Sequence, residues 1–167
     1  MKIVTLCRHA KSSWKHPELS DFDRPLNKRG ERNAPVMAAR LKEHSVLPDV
    51  VISSPAARAR ATVLAMAEAT GFPQKDIIYE PRVYAASPGT LFAIIRALED
   101  SYASLLLVGH NPEFTVLANA LGGLHLANIP TCGIVSLRFP VHKWEEIHSG
   151  TGSLQFFDYP KNPQYLT

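Results

Sequence analysis

Ile3-Val4-Thr5-Leu6-Cys7-Arg8-His9-Ala10 is the stretch on which the fold turns, because a five-residue apolar run passes directly into a cation and an imidazole. Short apolar runs bounded by polar breaks mark strands buried on both faces, as in a parallel sheet. Open α/β sheets bind their ligands beyond the carboxyl ends of such strands. The arrangement recurs twice: Val50-Val51-Ile52 runs into Ser53-Ser54-Pro55-Ala56-Ala57-Arg58, and Leu105-Leu106-Leu107-Val108 into Gly109-His110-Asn111-Pro112. Three strand ends thus offer two arginines and two histidines.

Between these strands lie segments of helical period. Residues 11–27 are polar and loop-like, and Asn27 can cap a helix over 28–44 with Met37, Ala38 and Leu41 on its apolar stripe. After a strand at 49–53, the pattern predicts a helix over 56–70 that sets Val63, Leu64 and Met66 in the core and stops at Gly71. A short strand at 77–80 follows. Ser87-Pro88 then opens a helix to about 99 with Leu91, Ile94, Ile95 and Leu98 on one face. Strand 104–109 leads to Asn111-Pro112-Glu113, a cap, proline and first-turn acid, and a helix to about 121 that Gly122-Gly123 ends.

The C-terminal third alternates instead, at Ile134–Phe139 and partly at Leu154–Tyr159, which predicts edge or antiparallel strands. Pro160-Lys161-Asn162-Pro163 resists pairing and is expected to lie over the surface. The fold class is therefore α/β, with a mixed, mostly parallel sheet.

A chain of 167 residues fits one domain of ordinary size. Its 18 Lys and Arg are dispersed among 15 Asp and Glu, for a net charge of +3, and no clustered basic face with interleaved aromatics suggests nucleic acid. Cys7 and Cys132 form no CxxC pair, so reduced thiols and a cytoplasmic setting are expected. Met1-Lys2 leads straight into the first strand, so no export signal is expected. No apolar run approaches the roughly 20 residues of a membrane span, so no membrane association is expected.

A phosphoryl dianion needs converging cationic donors and a nucleophile in line with the leaving group. Arg8 and Arg58 supply the donors. His9 can be the nucleophile, because neutral imidazole keeps a lone pair and can form a covalent intermediate. His110, at the mouth of a helix, can donate to the same oxygens. Such a site requires no metal or other cofactor. Other phosphatase chemistries fail on spacing: Ser13 stands where a cysteine-dependent enzyme built on Cys7 would need arginine, and neither a Walker A loop nor a GxSxG elbow occurs.

Arg8-His9-Ala10-Lys11-Ser12 resembles the RHGxS or RHAxS signature of the histidine phosphatase superfamily, the phosphoglycerate mutase-like fold. Ser54-Pro55-Ala56-Ala57-Arg58-Ala59-Arg60-Ala61-Thr62 is similar to its SxxxRAxxT segment, and Leu107-Val108-Gly109-His110-Asn111-Pro112 completes the set. Asp23-Arg24-Pro25-Leu26 followed by Gly30 resembles the DRPL...G segment of the SixA-type phosphohistidine phosphatases. The resemblance spans roughly 3 to 160, in the right order and spacing. It implies a three-layer α/β/α sandwich and one histidine phosphatase domain over 1–167. By that resemblance His9 is the phosphorylated nucleophile, and Arg8, Arg58 and His110 hold the phosphoryl oxygens. Ser12 helps to order the loop and counts with Arg24 among the candidate substrate contacts.

The chain departs from the family at the general acid. Many members place a carboxylic acid shortly before a tyrosine of the kind Tyr84 resembles, but here Pro81, Arg82 and Val83 stand there and Glu80 is the nearest carboxylate. Without a proton donor a phosphoester oxygen leaves poorly, whereas the nitrogen of phosphohistidine leaves more readily. The expected substrate is therefore phosphohistidine in a protein partner. The alternatives are a small phosphorylated metabolite, with Glu80 or an acid from a mobile loop as donor, and a phospho-ligand binding module without turnover.

Other residues take structural readings. Asp23 and Arg24 are expected to pair and pin the loop, Trp14 to pack, and Arg60 to face solvent. Lys11 and Lys15 are read as solvated loop charges. His16, His44, His125, His142 and His148 lack metal-ligand spacing.

Overall fold

The computed structural model describes residues 1–166. Six strands form one sheet: β1 (Lys2–Arg8), β2 (Val50–Ser53), β3 (Ile78–Tyr79), β4 (Ser104–Gly109), β5 (Ile134–Phe139) and β6 (Ser153–Asp158). Their order is β3-β2-β4-β1-β5-β6. The pairs β3/β2, β2/β4 and β4/β1 are parallel, whereas β1/β5 and β5/β6 are antiparallel. The mixed, mostly parallel sheet is the expected one, and the alternating segments at the C-terminal end are its antiparallel side.

Burial of the sheet on both faces explains the unbroken apolar strands. On β2 and β4, Val50, Ile52, Leu105 and Leu107 face one way, toward α3 (Pro88–Arg96) and α4 (Glu113–Gly122). Val51, Leu106 and Val108 face the other, toward α1 (Lys28–Glu43) and α2 (Ala57–Thr70). This period-2 split makes the three-layer α/β/α sandwich. The Asn27 side chain caps α1 by accepting from the Gly30 N–H at 2.8 Å, and Gly71 closes α2 in the left-handed region at φ 74°.

Several expectations need correction. Leu64 is 37% exposed, because it lies off the stripe formed by Val63, Met66 and Ala67. The helix opened by Ser87-Pro88 ends at Arg96 rather than near 99, and Leu98 packs against the core from the turn beyond it. Asn111 acts on its helix one turn in, accepting from the Thr115 N–H and hydroxyl at 3.2 and 3.0 Å. The terminal segment, by contrast, lies on the surface outside the sheet as expected, and Arg40 ties it down by donating to the Tyr159 carbonyl at 2.8 Å and stacking on Tyr165 at 3.9 Å.

Neighbouring strand ends are stitched together where ligands bind in such sheets. The His9 N–H donates to the Gly109 carbonyl at 2.9 Å, and the Ser54 N–H to the Val108 carbonyl at 3.0 Å. Loop 11–27 is held back over this edge. Ser12 bridges Leu26, and the Asn27 N–H donates to the Lys11 carbonyl at 2.9 Å. Gly30 is needed at this close approach, because a Cβ there would stand 2.1 Å from the Lys11 carbonyl oxygen.

Candidate active site

Beyond the ends of β1, β2 and β4 lies a cavity of about 360 Å³ lined by Arg8, His9, Arg58 and His110, with Ser12, Arg24 and Lys11 also on its wall. The structure brings together all six candidate residues read from the sequence.

His9 lies at the end of β1 with only 8% of its surface exposed. Its Nδ1 is 2.7 Å from the Ala10 carbonyl, which can only accept, so Nδ1 carries the proton and Nε2 keeps the lone pair. Burial, with the nearby His110, Arg58 and Arg8 charges, pushes its pKa down to about 3, against the pull of the Ala10 hydrogen bond. The imidazole is therefore neutral at physiological pH. The His110 ring stands 5.0 Å from it, centroid to centroid, and its Nε2 is 2.8 Å from Ser54 Oγ. Burial, then the Arg58 charge, takes His110 down to about 4.

Each arginine is anchored at one end. Arg8 donates to the Ile129 carbonyl at 2.8 Å, and Arg58 to the Asp21 carbonyl at 2.6 Å and carboxylate at 3.0 Å. Among the described residues, the buried Nε of both Arg8 and Arg58 has no hydrogen-bond partner. Orphaned guanidinium N–H groups are costly to bury, and both arginines keep donor capacity that the described residues do not fill.

Sequence reasoning missed Asp21. Arg24 pairs with Asp21, at 3.1 Å, and not with Asp23, whose carboxylate takes the Ser20 hydroxyl instead. The reason is local geometry. Asp21–Asp23 form a 3-10 turn, on which residues three apart eclipse, and that spacing was the available signal. The Asp21 carboxylate also accepts from the Tyr84 hydroxyl at 2.7 Å. That bond, followed by Arg58 and Arg24, holds its pKa down to about 2 against the effect of burial. Arg24 further donates to Ser12 Oγ at 2.6 Å and lies 3.7 Å over the Trp14 ring. Trp14 is 74% exposed on the cavity rim, which corrects its reading as a packing residue.

Glu80 takes no place in the cavity lining. It caps the turn Pro81–Val83 through the Arg82 N–H and pairs with the Arg82 guanidinium at 3.1 Å, which keeps its carboxyl below the usual range. Glu113 does line the cavity, from the first turn of α4. Arg60 faces solvent and stacks on Tyr79 at 4.0 Å. His44 is satisfied by Asp158 at 3.1 Å. No group of three or more His, Cys, Asp or Glu suited to a metal lies among the described residues, and no described helix is long and apolar enough to cross a membrane.

Residues 4–86 match the model of the histidine phosphatase superfamily, branch 1. A SixA of Agrobacterium tumefaciens, assigned as a phosphohistidine phosphatase, superposes with a TM-score of 0.82 at 32% identity, covering 95% of this chain and 98% of that one. The chain belongs to the histidine phosphatase superfamily. It is a phosphatase, and its substrates are phosphorylated. The histidine phosphatase SixA complexed with tungstate is also similar, with a TM-score of 0.79 at 25% identity over 93% of this chain and 95% of that one. An uncharacterized Mycobacterium tuberculosis protein is 34% identical over 165 residues, covering 92% of this chain and 99% of its own.

Proposed function

We propose that this phosphatase, one histidine phosphatase domain over 1–167, removes the phosphoryl group from phosphohistidine in a protein partner, without a metal and through a phospho-His9 intermediate. His9 Nε2 attacks phosphorus from the cavity floor, and Arg8, Arg58 and His110 hold the three oxygens as charge spreads over them. Ser12 and Arg24 brace the loop that closes the oxygen site. Water then hydrolyses phospho-His9. The Nδ1 contact to Ala10 supports this assignment, because it fixes the tautomer that leaves the attacking nitrogen unprotonated.

The observation that carries the choice of substrate is the state of the carboxylates. Glu80 is paired with Arg82 away from the cavity, and Asp21, which lines it, is held ionised. Neither is set to protonate an alkoxide, so substrates with a readily departing nitrogen are favoured. Glu113 favours the second reading, a small-molecule phosphomonoesterase, since this carboxyl lines the cavity beside His110 in the chain. Catalytic efficiency on a phosphohistidine peptide against sugar phosphates separates the two. Phosphohistidine is expected to react far faster, with Glu80→Gln changing little. Equal efficiency on sugar phosphates, abolished by Glu113→Gln or Glu80→Gln, would establish the monoesterase instead.

A further inference from the structure

We propose that Asp21 is a catalytic residue of this site, the carboxylate that accepts the free ring N–H of the phosphohistidine substrate and so holds the bound ring as a phosphoimidazolium, which departs as neutral imidazole. The inference rests on the phosphohistidine reading above and supplies what that reading lacks, a substitute for the general acid.

Position comes first. His9 and Asp21 line the same cavity, but His9 is buried at its floor whereas the Asp21 side chain is 51% exposed at its rim. From His9 the wall runs through the His110 ring, 5.0 Å away, and the Tyr84 ring, 5.6 Å farther, to the Tyr84 hydroxyl on Asp21. In-line displacement places the leaving group opposite the nucleophile. A substrate ring expelled from the floor therefore leaves toward the rim, where Asp21 stands.

The carboxylate is built to accept rather than to donate. Three segments hold it: Tyr84 from the turn after β3, Arg58 from α2 and Arg24 from the loop after β1. His110 faces it from beyond β4. A carboxylate offers about four lone-pair sites, so three bound donors leave room for a substrate N–H.

The chemistry balances in one step. The His9 Nε2 lone pair forms a bond to phosphorus, and the substrate N–P bond breaks with its electron pair returning to the ring nitrogen. If the other ring nitrogen carries a proton throughout, the ring departs as neutral imidazole; otherwise it must depart as the far more basic imidazolate. Arg8, Arg24, Arg58 and Lys11 around the cavity all oppose an imidazolium there. An ionised Asp21 offsets them at the leaving-group end.

The test compares catalytic efficiency on a phosphohistidine peptide with that on an activated aryl phosphate, whose leaving group has no ring N–H. In Asp21→Asn the ratio of the two should fall about tenfold or more, the effect of exchanging a charge-assisted hydrogen bond for a neutral one. In the wild type, the alkaline limb of kcat for the peptide should lie above the free peptide's own ring pKa, and the substitution should move it down. An unchanged ratio in an active wild-type background overturns the role of Asp21 alone. If Asp21→Asn fails to fold, the wild-type limb decides, and a limb at or below the free peptide's value overturns the proposal. A wild type that leaves phosphohistidine intact overturns both this inference and the reading beneath it.

Discussion

As the proposed nucleophile, His9 has to be neutral among cations, and burial is what reconciles the two. With its pKa at about 3, it should stay a competent nucleophile at about pH 5, where an ordinary histidine is mostly protonated. The same shift weakens the fold in acid. A buried neutral imidazole binds fewer protons than the unfolded chain as pH falls from about 6.5 toward the folded pKa, so stability drops across that window. Thermal melts between about pH 7 and about pH 5 should show wild type losing more stability than His9→Gln; equal losses would place His9 in a wetter setting than the structure gives it. Arg8→Lys and Arg58→Lys should each cost about 100-fold or more in catalytic efficiency, because an ammonium copies the charge but not the planar, multi-donor geometry of a guanidinium. A loss of only a few-fold in steady-state kinetics would put that arginine outside the phosphoryl site.

At the scale of elements, the sequence was legible where the signal is local. The apolar runs of β1, β2 and β4 and the cap at Asn27 depend on near neighbours, and the strand ends carry Arg8, His9, Arg58 and His110 to one edge whatever the strand order. For Asp21 only the pairing with Arg24, three residues on, had a local signal; its place in the site was illegible because it rests on Arg58 and Tyr84, 37 and 63 residues away. Trp14 was misread for the same reason, since Arg24 holds its ring from outside the core. Gly30 shows how an element sets the site from a distance. Gly30→Ala places a Cβ against the Lys11 carbonyl, so the first turn of α1 must move away from loop 11–27. We expect a loss of about 2–3 kcal/mol in urea unfolding, with impaired turnover through Ser12 and Arg24. Wild-type stability and activity would mean that the loop yields freely.

For the whole molecule, the sandwich gives a rigid edge on which cations and imidazoles from three crossovers meet. That β4 inserts between β2 and β1 could not be read from periodicity, because strand order is a property of the packed sheet. Arg8, Arg58, Arg24 and Lys11 line the cavity with positive charge, so prolonged dialysis against a chelator should leave the rate on phosphohistidine unchanged; a loss restored by a divalent ion would assign catalysis to that ion. The central claim is that the phosphoryl group passes through His9. Rapid quenching of wild type with a phosphohistidine peptide carrying labelled phosphate should trap acid-labile label on His9, and His9→Ala should carry none and release no phosphate while still binding phosphate. Release of phosphate by His9→Ala at near the wild-type rate, with contaminating phosphatases excluded, would contradict the account.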